Sequence, residues 1–147
     1  MILDLRDIKR KGKDSLDFFF EYSPEKEFTD ASFMKIEMPI MVVGTVYITG
    51  EGSAFIECET TFKVKGSCTR CLEETEREYS VQVREGLDRD SEEGYPIVND
   101  RIDLTKIIDD AVFMNMPVSF LCREDCLGLC PECGGNLNKG ECKCKNL

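Results

Sequence analysis

Residues 54–65, AFIECETTFKVK, set Ala54, Ile56, Cys58, Thr60, Phe62 and Val64 on one parity and Glu57, Glu59, Lys63 and Lys65 on the other. Alternation with a period of two marks a strand with one dry and one wet face. Upstream, Val42, Gly44, Val46 and Ile48 keep the same rhythm until Gly50-Glu51-Gly52 supplies a turn. Beyond a break at Gly66, Tyr79, Val81 and Val83 alternate with Glu78, Ser80, Gln82 and Arg84. Such runs joined by short turns predict an antiparallel β-meander or an open barrel. Cys58 falls on the dry side and is read as a core thiol.

Residues 86–102, GLDRDSEEGYPIVNDRI, carry acids, glycines and a proline and are read as a mobile connection. A helix over 103–116 follows, with Asp103 as its N-cap. Its apolar stripe is Leu104, Ile107, Ile108, Ala111 and Val112, at the spacing of one helix face, and Pro117 ends it. This helix is expected to cross the apolar side of the sheet, giving an α+β fold. The N-terminal part combines a strand-like start from Ile2 to Ile8 with a basic turn (Lys9, Arg10, Lys11, Lys13). The run Phe18-Phe19-Phe20 is then read as a strand buried on both sides. Composition changes abruptly after Leu121, which divides the chain into a β-rich core domain, 1–121, and a cysteine-rich tail, 122–147.

The totals narrow the chemistry. With 147 residues the chain can bury a core without covalent staples. Its net charge of −10 disfavours unspecific binding to phosphate backbones. The absence of histidine removes the commonest general base, every Ser-His or Cys-His nucleophile pair and all Cys2His2 metal sites. The longest apolar run, Pro39 to Val43, cannot span a membrane, and charges from Asp4 onward break any secretory-signal core. A cytoplasmic protein without membrane contact is expected. In that compartment clustered thiols are metal ligands or catalysts more often than disulfides, and nine cysteines cannot all pair internally.

Six of those nine lie in the tail, CREDCLGLCPECGGNLNKGECKC, residues 122–144. Cys130-Pro-Glu-Cys133-Gly134 has the form of a zinc knuckle: two thiolates meet one ion across a sharp turn that the glycine permits. A tetrahedral ion needs two more thiolates. Cys142 and Cys144 are the favoured complement, brought back across a glycine-rich stretch; Cys122 and Cys126 are the alternative. The tail has few apolar residues, so a structural Zn²⁺ is expected to supply its folding energy. Cys68-Thr-Arg-Cys71 is a second candidate pair. Cysteines three apart in an extended strand point to opposite faces, so a shared ligand requires a turn, for which Gly66 and Ser67 are candidates. The pair is half of a second metal site, a packing pair, or a redox pair.

Together these elements resemble a known family. A Cys-x-Arg-Cys-Leu-Glu element follows two strands, and after an acidic connector comes a helix led by Ile102-Asp103-Leu104. The tail then reads Leu-Cys…Asp-Cys-x-Gly-Leu-Cys-Pro-x-Cys-Gly-x-Asn-Leu-Asn…Cys-x-Cys. From about Val42 to Cys144 the sequence is similar to the YceD family, the large ribosomal RNA subunit accumulation proteins. The matching positions are Cys68, Arg70 and Cys71, then Cys122, Asp125, Cys126, Gly128, Cys130, Pro131, Cys133, Gly134, Asn136, Leu137, Asn138, Cys142 and Cys144. The resemblance implies a non-enzymatic bacterial protein that supports 23S ribosomal RNA accumulation and large-subunit biogenesis. Its partner would be ribosomal RNA or a large-subunit ribosomal protein, with no small-molecule substrate. Arg70, Lys63, Lys65 and the run Lys9, Arg10 and Lys11 are the candidate partner contacts. Two other readings stay open: a thiol-disulfide oxidoreductase using Cys68 and Cys71, and a zinc-stabilised interaction adaptor.

Overall fold

The computed structural model describes residues 1–24 and 34–146. Four strands, β2 (Ser15–Tyr22), β3 (Met34–Gly50), β4 (Ser53–Ser67) and β5 (Glu74–Asp88), form one antiparallel sheet in sequence order. A short pair, β1 (Ile2–Asp4) and β6 (Arg101–Asp103), brings the first residues of the chain beside the start of the main helix. The fold is therefore α+β and the sheet is open: the meander is present and the barrel alternative is not. A helix α1 (Leu5–Arg10) replaces the second half of the strand expected at Ile2 to Ile8, because Asp4 caps it and Leu5 and Ile8 turn into the core.

The alternation of 54–65 becomes β4, one of the two inner strands. Ala54, Ile56, Cys58, Thr60, Phe62 and Val64 are all buried, while Glu59, Lys63 and Lys65 are exposed. Burial pushes the Cys58 thiol up to about 11, so it stays neutral in the core. The main helix, α2 (Leu104–Met114), lays Leu104, Ile107, Ile108 and Val112 on this apolar face. Asp103 caps it by accepting from the Thr105 N–H at 2.9 Å. Two hydroxyls fix its pose: Tyr22 donates to Asp109 at 2.7 Å and Tyr95 to Asp110 at 2.9 Å.

Two expectations need correction. The phenylalanine run is an edge strand, not one buried on both sides: Phe18 is buried, but Phe19 points outward and is 56% exposed. Residues 86–102 are mostly exposed but are anchored to the body at several points. Gly86 to Asp88 belong to β5, Ile97 is 2% exposed, and Arg89 is paired with Asp100 at 2.6 Å. Burial of one isoleucine and one ion pair anchors a segment whose composition looks like a loop.

Gly44 lies opposite Cys58 where β3 crosses β4. A Cβ there would fall 2.3 Å from the Cys58 Cβ and 2.4 Å from the Glu57 carbonyl oxygen. Backbone cannot yield cheaply, so Gly44→Ala is expected to force the strands apart and lower stability by about 1–3 kcal/mol. Urea unfolding at fixed zinc checks this; an unchanged midpoint would contradict it.

Candidate metal centres

The hairpin between β4 and β5 is closed by residues 68–73. The Cys68 N–H donates to the Glu73 carbonyl at 2.8 Å, the Leu72 N–H donates to the Cys68 carbonyl at 2.9 Å, and Leu72 adopts φ +62°. This turn lies after β4 ends, not at Gly66 and Ser67, which are paired in the strand. It sets both sulfurs on one side. The chain after α2 then returns to the hairpin tip: the Thr69 N–H donates to the Phe120 carbonyl at 2.7 Å, and Phe120 is fully buried.

That return brings four thiols together. Cys68 Sγ lies 3.8 Å from Cys126 Sγ, and Cys71 Sγ lies 3.6 Å from Cys122 Sγ. A second group forms further along the tail, with Cys142 Sγ 3.2 Å from Cys133 Sγ and 3.4 Å from Cys130 Sγ, and Cys144 beside them. In each group the four sulfurs lie within 4.8 Å of one another. A zinc ion with Zn–S bonds of ~2.3 Å in a tetrahedron spaces its sulfurs about 3.8 Å apart. Each group is therefore the size of one ion's ligand set, and a soft all-thiolate set suits zinc or iron. Both groups could hold a metal ion; all nine cysteines are free thiols.

The surroundings favour the thiolate at three of these sulfurs. Burial works against an anion at Cys68, but N–H groups of Cys71, Cys122 and Arg70 outweigh it and hold that thiol down to about 6. At Cys126 burial is likewise outweighed, here by the Asn138 amide and the Gly128 N–H. Cys130 is lowered to about 7 by the N–H groups of Cys133 and Glu132. Their neighbours go the other way: burial and the adjacent thiols push Cys122 up to about 12, while Cys142 and Cys133 raise Cys144 to about 12. Without an ion, each group keeps some sulfurs anionic and the rest protonated. A divalent cation would relieve that repulsion and ionise all four.

The two groups differ in setting. Cys68, Cys71 and Cys126 are buried at 0%, 3% and 4% exposure, whereas Cys133 is exposed. Asn138, on the stretch between Cys133 and Cys142, ties that stretch to the inner group. Its amide donates to Cys126 Sγ at 3.3 Å, and its oxygen accepts from the Leu127 N–H at 2.9 Å and from Arg123 at 2.8 Å. Lys139 forms an ion pair with Glu73 of the hairpin. The family resemblance includes Asn138 but gives it no role; its place follows from the short 3-10 turn Leu137–Lys139 that Asn136 caps, which nothing in the local sequence announces.

The basic candidates do not form one surface. Arg70 donates through Nη1 to the Cys126 carbonyl at 3.1 Å, so part of its guanidinium is turned into the thiol site. Lys63 is exposed and lies 3.6 Å from Glu76, and Lys65 is exposed nearby. Lys9, Arg10 and Lys11 lie at the other end of the sheet, where Asp14 accepts from the Ile48 N–H and Ser15 is two strands from Phe55. Phe55 and Lys65 are separated by ten positions of β4, roughly 33 Å. Among the described residues, no helix is long and apolar enough to cross a membrane.

Comparison with known proteins gives this geometry a family. The family described as "Large ribosomal RNA subunit accumulation protein YceD" matches residues 56–146. An uncharacterised protein of Mycobacterium tuberculosis is 38% identical over 78 residues, covering 47% of this chain and 38% of its own length. The protein named large ribosomal RNA subunit accumulation protein YCED homolog 1, chloroplastic, from Arabidopsis thaliana is 42% identical over 43 residues, 29% of this chain and 13% of its own. The maize protein of the same name is 35% identical over 60 residues, 40% of this chain and 20% of its own. The chain thus spans well under half the length of these relatives. No solved structure matches it. The family match runs from inside β4, through both groups of thiols, to the end of the described tail, and this chain belongs to the YceD family.

Proposed function

We propose that this protein is a non-enzymatic factor that supports accumulation of 23S ribosomal RNA during assembly of the large ribosomal subunit in the bacterial cytoplasm. Two structural zinc ions would fix its working end. Family membership supports the ribosomal role. The observation that carries the architectural part is the pair of four-thiol groups, one joining the β4–β5 hairpin to the tail and one closing the tail on itself. Bound there, zinc supplies cross-links and closed coordination, with no open position for a substrate. Cys68 and Cys71 serve as ligands in this reading because they are buried against Cys126 and Cys122, out of reach of an exchanging disulfide.

Two measurements test it. Protein purified without chelator is expected to carry two zinc ions per chain by elemental analysis; a metal-free, fully ordered tail would reject the architectural part. Depletion is expected to lower mature 23S RNA, with the protein co-sedimenting with large-subunit precursors. Unchanged 23S RNA and absence from every precursor fraction would reject the ribosomal part.

A further inference from the structure

The sheet has one face under α2, and its other face breaks the polar half of the strand pattern. On β2 and β3, Phe19, Val43 and Tyr47 point outward with 56%, 53% and 40% exposure. Phe19 is paired with Val43, and Tyr47 follows four positions on, opposite half-buried Phe55. Half-buried Met41 lies on the same face. The row Asp17, Thr45 and Glu57 separates Phe19, Val43 and Met41 from Tyr47 and Phe55. Single exposed apolar residues are ordinary, but two such clusters on one sheet face, each holding a large aromatic, mark a surface that is covered in use.

Acids run between and beside these clusters: Asp17 and Glu57 separate them, while Glu21 and Glu59 flank Met41 and Val43. Some are held in place, since Asp17 accepts from the Thr45 hydroxyl at 2.6 Å and Glu59 accepts from the Ser80 hydroxyl. Of the cations on this face, Arg84 is already bound to Glu57 at 2.7 Å, and Lys63, four positions beyond Glu59 on β4, lies 3.6 Å from Glu76, with Lys65 further along. Apolar clusters interleaved with carboxylates fit a partner that brings apolar side chains and several cations. A phosphate backbone or an anionic lipid surface would meet four carboxylates. A second copy would bring the same acids on a chain of net charge −10.

We infer that the outer face around Phe19, Val43 and Tyr47 docks a lysine- and arginine-rich segment of a protein through an apolar anchor. This deepens the ribosome-assembly reading, on which the source of the segment rests: a basic large-subunit ribosomal protein. RNA contact would then be indirect, through the protein escorted.

The test uses the zinc-loaded full chain, a panel of individually purified large-subunit proteins and 23S RNA fragments, with binding followed by calorimetry. The variants are Phe19→Ser with Val43→Thr, both at exposed positions, and Glu21→Gln with Glu59→Gln. At least one basic protein is expected to bind the unmodified chain, more weakly as salt rises. The apolar double variant should weaken it about tenfold or more, and the charge variant should slow association. Zinc content and melting temperature report that both variants remain folded. The inference is overturned if no panel protein binds, if binding ignores these substitutions, if they abolish RNA binding instead, or if they dissolve a dimer seen by sedimentation. Failure here with 23S RNA still lowered on depletion leaves the assembly reading standing. Binding retained with 23S RNA unaffected removes the assembly reading and keeps the face.

Discussion

Cys126→Ser is expected to cut the zinc content from two ions per chain to one and to detach the tail from the β4–β5 hairpin. Cys126 ties the hairpin to two stretches of the tail: its sulfur lies 3.8 Å from Cys68 and accepts the Asn138 amide, and its carbonyl accepts Arg70. Structural zinc is worth on the order of 10–16 kcal/mol apparent in small modules, so losing a ligand unseats what holds the tail. Limited proteolysis should then cut between Leu121 and Cys130, while intact protein resists. Cys133→Ser is the counterpart, since it should release the outer ion alone and leave that stretch protected. Asn138→Ala keeps all ligands and should weaken inner-ion affinity by roughly 10–100-fold, as loss of a hydrogen bond to a ligand does. Equal zinc content in all three variants would refute the two-site arrangement.

Acid should reproduce the first result. The folded thiol of Cys68 is held at about 6 against an ordinary value of 9.0, so the stability its anion contributes is complete above that ordinary value. In the metal-free protein it is lost as pH falls through about 6; zinc competes with protons for the same sulfur, so release from the loaded protein is expected below that value. Zinc indicator absorbance during a slow acid titration reads this directly.

Phe120→Ala should be the most damaging change away from the sulfurs. The ring is fully buried in the main core, and two residues later the chain enters the inner thiol group. Truncating a buried phenylalanine costs about 3–5 kcal/mol, on the order of ten degrees of melting temperature for a chain this size. Below the transition both ions should remain bound, because the Thr69–Phe120 bond is made by main chain and survives the change. Phe113→Ala, at 64% exposure on α2, is the control and should shift stability by less than about 0.5 kcal/mol.

How much of this was legible follows from the range of each signal. The β4 alternation and the Asp103 cap are local, so both were readable from neighbouring residues. Phe18-Phe19-Phe20 misled because an apolar run carries no phase, and an edge strand facing out looks the same as a buried one. The connector misled because its anchors, the pocket for Ile97 and the partner for Arg89, arise only once β5 and β6 are placed. The thiols show the same limit. The short Cys130–Cys133 spacing is local, but which pair faces Cys68 and Cys71 depends on the hairpin tip meeting the chain after Phe120.

One consequence of the inner thiol group reaches beyond the tail. Cys71 and Cys122 are 51 positions apart, and the span between them holds β5, β6 and α2. An ion joining them turns half of the body into a closed ring. By the usual loop-closure relation, tethering ends that far apart strips about 4 kcal/mol of freedom from the denatured chain. Metal supply would therefore tune the melting of the sheet and helix themselves, and starvation for it would be felt first as a loosening of the whole molecule.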